Sequence, residues 1–139
     1  MIRTGLRWLL ALFYGAAGYF HLANPAPFLQ ITPPWVPAPE AVVALTGLAE
    51  LAGAAGLLQP WSQPLRRAAG WGLAAYAVCV WPANFQHLAI DLGRADGGAG
   101  LGYHIPRLAF QPVLIWLALW VSEATDWPWS ARLKPRSGG

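Results

Sequence analysis

The sequence predicts an all-α fold: a bundle of four membrane-crossing helices with both termini in the cytoplasm. Three observations predict it. Of the 139 residues, 56% are hydrophobic and only 11% are charged. Ordinary soluble domains carry about 25% charged residues, so too little charge is left here to cover a water-exposed surface. Four apolar segments recur along the chain, each close to the ~20 residues that cross about 30 Å of hydrocarbon. The basic residues are also unevenly placed. Arg3, Arg7, Arg66, Arg67, Arg132, Lys134 and Arg136 fall on one side of the alternating spans, and Arg94 and Arg107 on the other, which is a positive-inside bias.

The same composition excludes other classes. A disordered chain would be polar and poor in aromatics, whereas this one has nine Trp. The net charge of +3 does not indicate nucleic-acid binding, because the basic residues sit in short clusters beside apolar runs. A single cysteine, Cys79, excludes an intrachain disulfide, a CxxC pair and a cysteine-based zinc site. Lying inside an apolar run, it reads as a small packing residue.

The first span is expected over about residues 5–21, a retained helix rather than a cleaved signal, since three further spans follow it. The loop to the second span holds Pro25, Pro27, Pro33, Pro34, Pro37 and Pro39, so regular helix is excluded there. Phe28, Leu29, Ile31, Trp35 and Val36 are too apolar for a free linker. A short helical turn around Phe28 and an extended segment on the outer face are expected, either as a lid or as an interfacial anchor. The second span covers about 41–58 and the third about 68–88, bent near its end by Pro82. The loop from Asp91 to Tyr103 carries five glycines and reads as a flexible connection. Its G-A-G-L-G run lacks the strand and spacing of a dinucleotide fingerprint.

The fourth span covers about 105–122, with Pro106 suited to its first turn and Pro112 expected to kink it. Residues 1–125 thus form one membrane domain and 126–139 a basic cytoplasmic tail. Glu123 and Asp126 read as solvated charges. Trp61, Trp71, Trp127 and Trp129 on the inner side, and Trp35 and Trp81 on the outer, fit an aromatic belt. Gly15 and Gly18, Ala49 with Gly53, and Ala52 with Gly56 offer small-residue faces for close helix approach.

The informative residues are the polar ones inside the apolar segments. Glu50 lies near mid-span, roughly 15 Å deep, where a charge costs about 2.5–3.5 kcal/mol. It must be protonated, paired or beside water. Arg107, at the outer end of the fourth span, is one candidate partner. Gln111 lies one turn deeper on the same face, and His104 one turn shallower. Asn84 and His87 share a face of the third span, His21 ends the first above Gly18 and Tyr14, and Thr46 lies one turn above Glu50. All four spans place these groups in the outer half. They converge either on a polar pocket opening outward or on a structural network that fixes helix register. His21, His87, His104 and Glu50 can be drawn around a metal, but no ligand spacing supports a site, and none is expected.

These residues resemble DoxX-like membrane proteins. The run G-A-A-G-Y-F-H-L-A-N-P-A-P-F-L-Q-I-T-P-P-W-V-P-A-P is similar to that family's first helix and loop, through Gly18, Phe20, His21, Ile31, Pro33, Pro34 and Pro37. T-G-L-A-E (Thr46 to Glu50), P-A-N (Pro82 to Asn84) and R-L-x-x-Q (Arg107, Leu108, Gln111) follow in order and together span most of the chain. The resemblance implies a four-helix protein of the bacterial cytoplasmic membrane, in a family associated with quinol oxidation. This sequence has no cysteine pair for a thiol relay. Three functions stay open. One is a binding or accessory subunit holding a quinone or similar molecule at His21, Glu50, Asn84, His87, Arg107 and Gln111. Another is a proton-coupled enzyme or carrier titrating at Glu50. The third is an assembly factor with a structural polar cluster. Expected partners are the lipid bilayer, a membrane or redox-complex protein, or a second copy of the chain, and not nucleic acid.

Overall fold

A computed structural model describes residues 1–129. Among them are five helices and no strand: α1 (Ile2–Ala23), α2 (Ala26–Ile31), α3 (Pro39–Leu58), α4 (Gln63–Leu92) and α5 (Leu101–Val121). The all-α expectation holds. Two of the helices, α3 and α5, are long and apolar enough to cross a membrane, where the sequence predicted four. The other two long helices carry more polar residues: α1 begins with Arg3 and Arg7, and α4 includes Arg66, Arg67, His87 and Asp91.

Start signals are local. Pro39 opens α3 behind Ala38, which takes a left-handed conformation, and proline suits this first turn because it lacks the N–H that would go unpaired there. Ser62 caps α4 by accepting from the Leu65 N–H at 3.3 Å. The expected turn at Phe28 is α2. The long helices run well past the expected bounds. α4 extends four residues beyond Leu88, and α5 starts at Leu101, placing Pro106 inside the helix instead of in its first turn. The basic tail, with Arg132, Lys134 and Arg136, lies outside the described residues.

The long helices pack in a ring, α1 against α3, α3 against α4, α4 against α5, and α5 back against α1, with α2 lying over α3 and α4. Leu10, Tyr14, Leu57, Leu73, Ala118 and Val121 form the shared core. The closest approach is between α1 and α3 at Gly18 and Gly47. A Cβ on Gly18 would lie 2.6 Å from the Gly47 carbonyl oxygen, so neither position has room for a side chain. Of the expected small-residue faces, Gly53 packs on Leu73 and Gly56 on Ala69, whereas Gly15 faces open space. Cys79 is exposed, not packed in the core.

One end of the bundle is closed by charge. Glu123 accepts from Arg7 at 2.7 Å, Gln63 at 2.9 Å and Arg66 at 3.3 Å, and its carbonyl accepts from Arg67 at 3.0 Å. Burial pushes its carboxyl up, but the Gln63 and Arg7 hydrogen bonds and the Arg7 and Arg66 charges outweigh that and hold it below the usual range. Asp126 pairs with Arg3 at 2.7 Å. These two acids therefore tie α1, α4 and the end of α5 together. The expectation of merely solvated charges is corrected, because the positive charges of α1 and α4 converge on the acids that follow α5.

Candidate ligand-binding cavity

The opposite half of the bundle holds a cavity of about 530 Å³. Its walls are apolar, from Phe13, Val43, Val80 and Phe110, and the α2 region roofs it with Phe28 and Trp35. Five of the six residues expected to bind a ligand, His21, Glu50, Asn84, Arg107 and Gln111, line it. The sixth, His87, does not.

Glu50 lies at the bottom and is 3% exposed. The Tyr76 hydroxyl donates to its Oε1 at 2.6 Å. Its Oε2 is 2.9 Å from His21 Nδ1, but that ring nitrogen also lies 2.9 Å from the Ala17 carbonyl. The single Nδ1 proton points to the carbonyl, so no hydrogen bond reaches Oε2. The Tyr14 hydroxyl beside it is also buried without a partner. His21 is held flat against Phe28, with ring centroids 3.7 Å apart, so the roof of the cavity rests on the ring that touches Glu50.

Arg107, a candidate partner of Glu50, does not pair with it. Arg107 Nη1 meets His87 Nδ1 at 2.8 Å, and its guanidinium lies 5.5 Å from the Tyr103 ring centre. Glu50 is anchored at Tyr76, and Arg107 at His87. These two anchors are about 16 Å apart along α4 at 1.5 Å per residue, beyond the reach of an arginine. Between them, Gln111 donates to the Ala77 carbonyl at 2.7 Å and accepts from Asn84 at 3.4 Å. Tyr76 was missed from the sequence. The available signal was its position about three turns before His87, on the same face of α4.

Asp91 was also missed, as part of a loop read as flexible. It is 5% exposed. Its Oδ2 accepts from the Ala99 N–H at 2.8 Å and lies 2.9 Å from His104 Nε2 and 3.6 Å from His87 Nε2. The Ala99 N–H and the His104 contact hold its carboxyl below the ordinary range. Gly98, with φ of +55°, passes so close to this carboxylate that no Cβ fits. Gly98 therefore lets the loop close tightly over Asp91.

His87, Asp91 and His104 place ligand-type atoms within 4.8 Å of one another, a grouping that could hold a metal, and it differs from the histidines and Glu50 considered from the sequence. Its hydrogen bonding fits poorly. Arg107 donates to His87 Nδ1, so the ring proton belongs on Nε2, the atom facing Asp91. A metal on Nε2 would force a proton onto Nδ1, directly against the guanidinium. His104 Nδ1 is buried without an acceptor, whereas metal-bound histidines give their second N–H to an oxygen. The residues form a polar row that braces Arg107: Arg107 is hydrogen-bonded to His87 and Asp91 to His104, and a longer His87–Asp91 contact of 3.6 Å joins the two pairs.

Fold and site together define a small helical-bundle protein with an amphipathic cavity, its polar groups set at the bottom and on one side of an apolar chamber. Residues 10–122 match the family described as a domain of unknown function (DUF8561), and the chain belongs to that family. No curated protein and no solved structure matches it.

Proposed function

We propose that this protein is a four-span bacterial cytoplasmic-membrane protein, similar to DoxX-like proteins, whose outward-opening cavity binds a small lipophilic molecule with a hydrogen-bonding head, a quinone being the favoured class. The membrane reading is supported by the two apolar helices α3 and α5. The outward faces of the other two support it as well, since Trp8, Leu9, Leu12 and Phe13 on α1 and Leu65, Trp71, Val78 and Phe85 on α4 are exposed. Contiguous apolar surface of this kind needs a cover, and a bilayer supplies one.

A single observation carries the ligand reading. Glu50 Oε2 is a buried acceptor and the Tyr14 hydroxyl a buried donor, neither has a hydrogen-bond partner, and both residues line the cavity. Each unpaired buried group costs about 1–3 kcal/mol. A molecule with a carbonyl and a hydroxyl on an apolar body would satisfy both. A quinone carbonyl would accept from Tyr14, and a hydroxyl of the reduced quinol form would donate to Glu50.

The test is lipid extraction and native mass spectrometry on protein purified in a mild detergent, followed by uptake of a short-chain quinone. Wild type is expected to carry or take up a quinone. Tyr14→Phe and Glu50→Gln are expected to lose it while keeping their helical circular-dichroism signal. A wild type that neither carries nor takes up a quinone would refute the reading, as would full retention in both variants.

A further inference from the structure

All six acidic side chains of the chain lie within the described residues. Glu50 contacts Tyr76 and His21, Asp91 contacts Ala99 and His104, Asp96 pairs with Arg94, Glu123 with Arg7 and Arg66, and Asp126 with Arg3. Glu40, exposed at the start of α3, makes no ion pair among the described residues. No carboxylate therefore lies within 4.0 Å of Arg107. Its hydrogen-bond partner is an imidazole nitrogen, which must be uncharged to accept. Arg3, Arg7 and Arg66, the other half-buried arginines, each have an acid. Arg67 lacks one but is exposed. Arg107 alone among the described arginines is half-buried, faces an apolar-walled cavity, and has no counter-charge.

A guanidinium is always charged and keeps several N–H donors in a planar fork. In the outer half of a bundle beside lipid, leaving that charge uncompensated is costly. The bracing row through His87 holds it in place without neutralising it.

We infer that the cavity takes its ligand as an anion: a lipophilic acid whose charged oxygens pair with Arg107 while its apolar body fills the chamber. This rests on the reading of the cavity as a lipophilic-ligand site and replaces the neutral quinone head with an oxyanion. The oxyanion chemistry is shared by a free lipophilic acid and by the head group of an anionic phospholipid.

The experiment compares dodecanoate with dodecanol, and both with a short-chain quinone, by competition binding at pH 8. The protein is held in phosphatidylcholine nanodiscs, as wild type, Arg107→Gln and Arg107→Lys. Charge-assisted pairing predicts that dodecanoate binds at least about tenfold more tightly than dodecanol. That preference should vanish in Arg107→Gln and persist in part in Arg107→Lys, whose retained helical signal separates charge loss from misfolding. Equal affinities in wild type, or an acid preference that survives Arg107→Gln, would overturn the inference even if the quinone binds. Failure of the quinone and both amphiphiles to bind would remove the cavity reading and this inference together. Adding phosphatidylglycerol to the nanodiscs separates the two sources, since weakened dodecanoate binding identifies the head group and unchanged binding the free acid.

Discussion

Removing one hydroxyl, in Tyr76→Phe, tests how Glu50 is held. The Tyr76 hydroxyl donates to Glu50 Oε1 at 2.6 Å, and Glu50 is 3% exposed. Oε2 already lacks a hydrogen-bond donor, so the variant would leave the whole carboxylate without one. A hydrogen bond to a charged group contributes about 1.5–3 kcal/mol, and the ring of Tyr76 keeps its packing in Phe. The variant should therefore unfold with about that much less stability. A double-mutant cycle isolates the cause. In a Glu50→Gln background the same substitution should cost clearly less, leaving a coupling of about 1 kcal/mol or more, as is usual for contacting residues. The assay is reversible unfolding in mixed micelles followed by circular dichroism, with all four proteins measured together. Wild-type stability in Tyr76→Phe, or an equal loss in both backgrounds, would refute the view that this hydroxyl stabilises the buried carboxylate.

Two further predictions concern the ends of the bundle. The carboxyl of Asp91 is held low in the folded protein, so its contribution is present above the unfolded carboxyl value, about 3.9, and is lost as pH falls through the lower folded value. Protection of the Ala99 amide, taken relative to its intrinsic exchange rate at each pH, should therefore stay high at neutral pH and fall only in acid, and Asp91→Asn should already lower it at pH 7. Glu123→Ala removes the shared acceptor of Arg7, Gln63 and Arg66. It should lower stability by about 1 kcal/mol in low salt, with a smaller loss in high salt because the pairs are partly exposed and screened. A loss independent of salt would contradict the ionic account.

Much of this was legible from the chain because it depends on local chemistry. Apolar run lengths located the helices, the six prolines between α1 and α3 located the roof, and the cost of polar groups in apolar segments picked out His21, Glu50, Asn84, Arg107 and Gln111. Partner choice was not legible. Glu50 and Arg107 carry opposite charges and suggested a pair, but which groups meet depends on how far each helix is shifted and rotated against its neighbours. That placed Tyr76 beside Glu50 and His87 beside Arg107. Asp91 was hidden for a related reason. Its glycine-rich surroundings look mobile in one dimension, yet Gly98 is the residue that lets the loop close over a buried carboxylate.

By itself the sequence determined the helical class and which polar residues interrupt the apolar segments, since hydropathy, proline and spacing act over a few residues at a time. The tertiary structure alone decided which polar groups are satisfied and which are buried without a partner. Tyr14 and Glu50 Oε2 lack hydrogen-bond partners and Arg107 has no counter-charge only because the ring of four helices brings other donors and acceptors elsewhere. Hydrogen-bond and charge balance are properties of three-dimensional neighbours, which no residue count along the chain contains.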